Sequence, residues 1–151
     1  MTLKTLHVVG VVLFIGNIIV TGWWKMAADL SRNPVVIAFA QRQVTITDWV
    51  FTLGGVTIVS VAGAGNALIH DIAFTTPWVL WGLVLFIASG VVWVAVLIPV
   101  QSKLTAITRT FTADSEIPVA YWRLEKLWII FGTIATLLPL AAIPFMVFKA
   151  V

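Results

Sequence analysis

Two histidines are the side chains in this sequence that are best suited to hold a metal. His7 lies near the start of the first apolar stretch, and Phe14 falls on the same stripe of that helix. A neutral imidazole in an apolar groove can ligate haem iron or another metal. His7 is therefore a candidate metal ligand. The alternative is an interfacial histidine that is hydrogen-bonded to a neighbouring residue.

The second histidine, His70, closes the second apolar stretch and is expected at the same side of the membrane as His7. Two histidines at one depth on adjacent helices would form a bis-histidine site. Because Asp71 and a loop follow His70, a solvated histidine is the alternative. A His7/His70 pair also suggests a function in copper handling. However, a chain with three methionines and no cysteine is poor in soft copper ligands.

A second set of polar residues is expected at a common depth, at the inner ends of the four apolar segments. An unpaired carboxylate is costly in a membrane, and so we expect Asp48 to form an ion pair with Lys25 or Arg123. The group would act either as a structural clamp or as an inner site for an anion or a lipid headgroup. Its members are Lys25, Asp48, Gln101 and Arg123.

Four long apolar segments must position these side chains. They span about residues 5–25, 46–69, 77–98 and 125–148. About 20 helical residues cross the ~30 Å hydrocarbon core of a bilayer. The chain is 61% hydrophobic and only 10% charged, whereas a soluble domain is nearer a quarter charged. The sequence predicts an all-α, four-helix transmembrane bundle that forms one domain over residues 1–151.

The basic residues predict the orientation of this bundle. The first and third connections hold seven lysines and arginines, against two on the other side. By the positive-inside rule, both termini face outward, to the periplasm, and these two connections face the cytoplasm of a bacterial inner membrane. The net charge of +3 is spread over helix ends, and so the lipid bilayer, rather than nucleic acid, is the expected partner.

Small residues indicate where the helices meet. The second segment contains the small-xxx-small pairs Ser60/Ala64 and Gly63/Ala67, which let helix backbones approach closely. This segment is the expected central helix, with its small face against either another helix or a bound ligand.

The sequence also predicts where two of the helices begin. Asn33-Pro34 and Thr76-Pro77 have the pattern of helix starts.

The chain has no cysteine, and so thiolate nucleophiles and disulfides are excluded. No relay of acidic or histidine residues crosses the middle of the segments, which argues against a proton-driven transporter or a channel. The residues indicate no enzyme class.

Several short motifs resemble a known family. Together they are similar to the small predicted integral membrane proteins grouped as domain-of-unknown-function family 2269, over nearly the whole chain. The resemblance implies a four-helix bacterial membrane fold and no particular activity. The motifs are Leu3-Lys4-Thr5-Leu6-His7, Trp23-Trp24-Lys25, Thr47-Asp48-Trp49, Ile98-Pro99-Val100-Gln101 and Tyr121-Trp122-Arg123.

The first motif also resembles, more distantly, HemJ-type protoporphyrinogen oxidases and CopD-like membrane proteins. In those proteins a Leu-Lys-x-Leu-His start places a haem-binding histidine early in the first helix, which implies His7 as an axial ligand. HemJ proteins also have an arginine and a lysine around their middle helices. This chain has no basic residue between Arg42 and Lys103, and so the implication is limited to haem binding.

The leading functional hypothesis is a redox protein that binds b-type haem, or a related tetrapyrrole, in the outer half of the bundle. His7 would ligate the iron, and Phe14, Gly63 and Trp81 would line the pocket. The alternative is a non-enzymatic membrane scaffold or lipid-binding subunit. It rests on the inner polar residues and on glycine-rich faces that suit helix association, including a homo-oligomer. Copper handling is a third hypothesis.

Overall fold

Four long helices make up the part of the chain that the structure describes. The computed structural model describes residues 2–149, and over that range it contains helices, turns and loops but no strand. Each helix is long and apolar enough to cross a membrane, which confirms the predicted all-α four-helix membrane bundle. The helices are α1 (Thr2–Leu30), α2 (Pro34–Ile69), α3 (Pro77–Thr108) and α4 (Val119–Phe148).

Two of the helices extend well past the spans that hydropathy predicts. In α2 the stretch Pro34–Thr47 adds 14 helical residues before the apolar segment, which corresponds to about 21 Å. In α3 the helix continues through Ile98–Thr108. Both extensions lie at the end of the bundle that carries the α1–α2 and α3–α4 connections. This end holds most of the basic residues and is called the charged end below.

Local sequence explains where α2 and α3 begin. The side chain of Asn33 accepts hydrogen bonds from the backbone N–H groups of Val35 (3.0 Å) and Val36 (3.3 Å), and Pro34 occupies the first turn. Proline is favoured there because its missing N–H would have no helical partner. The predicted helix start at Asn33-Pro34 is confirmed, and so is the start of α3 at Pro77.

A short π-helical segment interrupts α2 at Asp48–Thr52 and another interrupts α3 at Trp93–Leu97. Such widened turns are rare and occur often at functional sites. The segment in α3 directly precedes Pro99, whose ring cannot fit a regular α-helical turn without a clash and a lost hydrogen bond. The rings of Trp49 and Trp93, one from each segment, lie 6.2 Å apart. The two π segments therefore face each other.

Glycine allows the closest helix contact, between α1 and α2. A Cβ atom on Gly55 would lie 2.7 Å from the backbone nitrogen of Phe14, and one on Gly10 would lie 2.9 Å from that of Val59. The small face of α2 therefore packs against α1. This finding supports helix packing as the role of these small residues.

An apolar core closes the bundle at its charged end. All four helices contribute to it, through Ala28, Ile37, Ala40, Val100, Leu104 and Tyr121. Beyond this core, α1 packs mainly against α2 and α3 packs mainly against α4. The two helix pairs leave space between them in the middle of the bundle.

Candidate functional site

A cavity of about 790 Å³, called the central cavity, lies between the two helix pairs. Its walls are mostly apolar and include Phe14 and Ile18 of α1, Phe86 of α3 and Leu137 of α4. Phe14 and Phe86 meet edge to face across it, with ring centroids 6.0 Å apart. Pockets of this size, apolar with a few polar groups, are typical of small-molecule sites.

Glycines create part of this space. Gly22, Gly90 and Gly132 line the central cavity from three different helices. A Cβ atom on any of them would meet no other heavy atom within 4 Å. These three positions could therefore accept a side chain that fills the cavity.

The buried carboxyl group of Asp48 forms a polar part of the wall of the central cavity. Oδ1 of Asp48 accepts hydrogen bonds from Nδ2 of Asn17 (3.2 Å) and from Oγ1 of Thr52 (3.0 Å). Nδ2 of Asn17 also donates to Oγ1 of Thr52 at 3.0 Å. The π segment of α2 supplies both Asp48 and Thr52, and Asn17 comes from the middle of α1. Asp48 is 8% exposed.

A smaller cavity of about 330 Å³, called the polar cavity, adjoins the central one. Asp48, Trp93 and Gln101 line both cavities. The Asp48 carboxyl group therefore lies between an apolar space and a polar one. The other polar groups that line the polar cavity are Thr45, Ser102, Thr105 and Arg109.

A second buried group of polar side chains surrounds Lys25. Nζ of Lys25 lies 2.5 Å from Oε2 of Glu125, donates to the hydroxyl of Tyr121 at 3.1 Å, and lies 3.9 Å from Oδ2 of Asp29. The Tyr121 hydroxyl donates to Oδ1 of Asp29 at 2.5 Å. These four residues are called the Lys25 cluster. Each of them is at least nine-tenths buried.

Sequence reasoning missed three members of the Lys25 cluster: Asp29, Tyr121 and Glu125. A signal was present, because Lys25 and Asp29 are four residues apart, as are Tyr121 and Glu125. Residues at i and i+4 lie on one face of a helix. Each helix therefore presents a matched polar pair to the other.

A family model described as "Predicted integral membrane protein (DUF2269)" matches residues 1–150. The chain belongs to this family. No curated protein and no solved structure matches it. The predicted family membership is confirmed, whereas the likeness to HemJ and CopD proteins stays a prediction.

In this member of the family, the predicted inner polar residues occupy separate places. Lys25 binds the acidic groups of Asp29 and Glu125 rather than that of Asp48. Asp48 and Gln101 lie together between the two cavities. Arg123 is exposed on α4.

His7 faces α2. Its Nδ1 lies 3.0 Å from the carbonyl oxygen of Val59. Because a carbonyl can only accept, Nδ1 is protonated, and in the neutral form of the imidazole Nε2 would have the lone pair. The ring lies beside Gly63, where a Cβ atom would approach Nδ1 to 2.9 Å. His7 and Gly63 therefore pack against each other.

The other predicted haem-site residues lie elsewhere. Phe14 belongs to the wall of the central cavity. Trp81 is 52% exposed and stacks on Phe145 of α4, with centroids 6.4 Å apart. His70 is exposed just past the end of α2. Within residues 2–149, no three His, Cys, Asp or Glu side chains form a group that could hold a metal ion.

Proposed function

We propose that this protein is a non-enzymatic lipid-binding membrane subunit that holds one amphiphilic molecule. The hydrocarbon part would occupy the central cavity, and the polar head would contact Asp48. One observation carries the proposal: an apolar cavity of about 790 Å³ in a membrane bundle ends on a buried carboxyl group.

The polar end of the cavity would set which amphiphile binds. Lipid tails are as apolar as the side chains of membrane helices. Moving a tail from the bilayer into the central cavity therefore changes the free energy little. Contacts of the head with Asp48 and the neighbouring polar cavity must supply most of the affinity and the selectivity.

The surroundings of Asp48 favour a head that donates hydrogen bonds or has a positive charge. The side chains that hydrogen-bond with Asp48 belong to Asn17, Thr52 and Gln101, and all three are neutral. Neither ion pair found in residues 2–149 involves Asp48. A carboxylate in a membrane without a cation is costly. An ammonium or hydroxyl group of a bound amphiphile would lower that cost.

Native mass spectrometry of protein purified in mild detergent tests the proposal. We expect the wild type to retain an amphiphile and Gly132→Leu to lose it, because the new side chain would fill the central cavity. Gly54→Leu is the matched control, since a Cβ there also meets open space but the residue does not line the cavity. Equal retention by both variants would contradict the proposal. The same spectra report whether the protein forms a homo-oligomer.

A b-type haem at His7 is the second candidate, and the orientation of the imidazole favours it. Metal-ligating histidines usually donate their other ring N–H to a carbonyl or carboxylate, as His7 does to Val59. Nε2 would then ligate the iron, and the protein would be a redox protein. A visible spectrum tests this: a Soret band that His7→Ala removes would support haem, and its absence in protein from haem-replete cells would refute it.

Copper handling by His7 and His70 is the third candidate, and elemental analysis of the purified protein tests it. Copper bound in stoichiometric amount, and lost in His7→Ala, is the result it requires.

We further propose a bacterial inner membrane as the location, with both termini facing the periplasm. The excess of basic residues at the charged end supports this orientation.

A further inference from the structure

The Lys25 cluster has unequal numbers of acidic and basic groups. It contains one amine, on Lys25, and two carboxyl groups, on Asp29 and Glu125. These three side chains are 1%, 8% and 3% exposed. With all three ionised, the buried cluster would have a net charge of −1. Uncompensated charge that is removed from water is strongly unfavourable.

Three carboxyl oxygens in the cluster have no hydrogen bond, and one of them, Oε2 of Glu125, has the short ion contact with Lys25 instead. Oε1 of Glu125 and Oδ2 of Asp29 are fully buried and accept none. Oδ2 of Asp29 has only the long ion contact of 3.9 Å to Lys25, whereas the short ion contact of Glu125 is made by its other oxygen, Oε2. Buried polar atoms are nearly always paired, and so these two require an explanation.

The donors of the cluster are already engaged. The one hydroxyl hydrogen of Tyr121 goes to Oδ1 of Asp29. The ammonium group of Lys25 binds Glu125 and Tyr121, and it also lies 5.3 Å from the ring centroid of Trp128. A further hydrogen must come from outside the cluster to satisfy Oε1 of Glu125.

We propose that Asp29 and Glu125 together bind one exchangeable proton. A protonated carboxyl group is a hydrogen-bond donor as well as an acceptor. One proton between the two groups would neutralise the cluster and give an unpaired oxygen a hydrogen-bond partner. Both carboxyl groups lie within 3.9 Å of the same Nζ, and adjacent carboxylates characteristically share a proton in this way.

The groups packed around the pair do not supply a competing charge. Helices α2 and α3 face the cluster with the apolar core residues Ile37, Ala40, Val100 and Leu104. The guanidinium of Arg32, at the end of α1, stacks on the ring of Trp122 at 4.3 Å. Within residues 2–149, the titratable groups that contact the two carboxyl groups are Lys25 and Tyr121, which are already members of the cluster.

Infrared spectroscopy of the protein in lipid vesicles tests the proposal, which does not depend on a ligand in the central cavity. At neutral pH we expect a carboxylic-acid C=O band that shifts in D₂O. Glu125→Gln and Asp29→Asn should each abolish this band, because one remaining carboxylate balances Lys25 and has no need of a proton. Asp48→Asn should leave it in place, which separates the pair from the other buried carboxyl group.

Two results would overturn the proposal. One is a wild-type spectrum without a band that depends on Asp29 or Glu125. The other is a band that sodium or potassium removes at constant pH, since the pair would then bind a metal cation instead. If Glu125→Gln fails to fold, the wild type and Asp29→Asn decide the matter. The wild-type band must also disappear reversibly as the pH is raised.

Discussion

Replacing Lys25 with methionine should destabilise the protein strongly. Methionine has a similar length but no charge, and so the change leaves the carboxyl groups of Asp29 and Glu125 buried without their cation. The close contact of Nζ with Oε2 of Glu125 is 2.5 Å. At an effective dielectric constant of about 20, this distance corresponds to a gross attraction of about 7 kcal/mol.

The net effect is smaller than the gross attraction, because the paired charges are also desolvated in the folded protein. Removing one partner of a buried ion pair typically costs about 3–5 kcal/mol. For a chain of this length, each kcal/mol corresponds to a shift of about 2–4 °C in Tm. We therefore expect Lys25→Met to lower Tm by about 10 °C.

Thermal unfolding in detergent, followed by tryptophan fluorescence, measures this effect. Lys126→Met is the matched control, because it removes the same charge at an exposed position of α4, where the expected change is within about 0.5 kcal/mol. The double variant Lys25→Met/Glu125→Leu should recover part of the loss, since it buries one fewer uncompensated charge. If Lys25→Met lowered Tm no more than Lys126→Met, the argument about the Lys25 cluster would be refuted.

Gly55→Ala should lower the free energy of unfolding by about 1–3 kcal/mol in chemical denaturation, because the new Cβ would meet the backbone of Phe14; Gly16→Ala, where a Cβ meets open space, should be neutral or stabilising. Asp48→Asn should weaken binding of a long-chain amine at least tenfold in a tryptophan-quenching titration and leave binding of the matching alcohol nearly unchanged; an equal loss for both would show that charge at Asp48 does not select the head. Alkaline phosphatase fused after the C-terminus should be active in a bacterial host and inactive when inserted in the α3–α4 connection, and the reverse pattern would reject the proposed orientation.

Hydropathy predicted the four helices because a membrane span needs only length and apolar composition. Local chemistry also predicted the start of α2, where Asn33 caps the helix and Pro34 fills its first turn. The extension of α3 through Ile98–Thr108 was not predicted. Its mixed composition resembles a loop, and its helical form depends on core contacts made by Val100 and Leu104 with the other helices.

The candidate site was less predictable, because it depends on how each helix is rotated and how far apart the helix pairs stand. Asp48 was expected to pair with Lys25 or Arg123, since all three lie near the same end of the bundle. In the structure the rotation of α1 directs Lys25 to Glu125 of α4 and directs Asn17, two turns earlier, to Asp48. The central cavity depends on the spacing between helix pairs, which no motif in the sequence encodes.

A high-resolution structure of the protein purified in mild detergent would test the central claim most directly. We predict elongated density in the central cavity, alongside the touching rings of Phe14 and Phe86, with its polar end in contact with Asp48. Two results would contradict this proposal. One is a structure in which the two helix pairs pack against each other and leave no cavity, and the other is density in the cavity that makes no contact with Asp48.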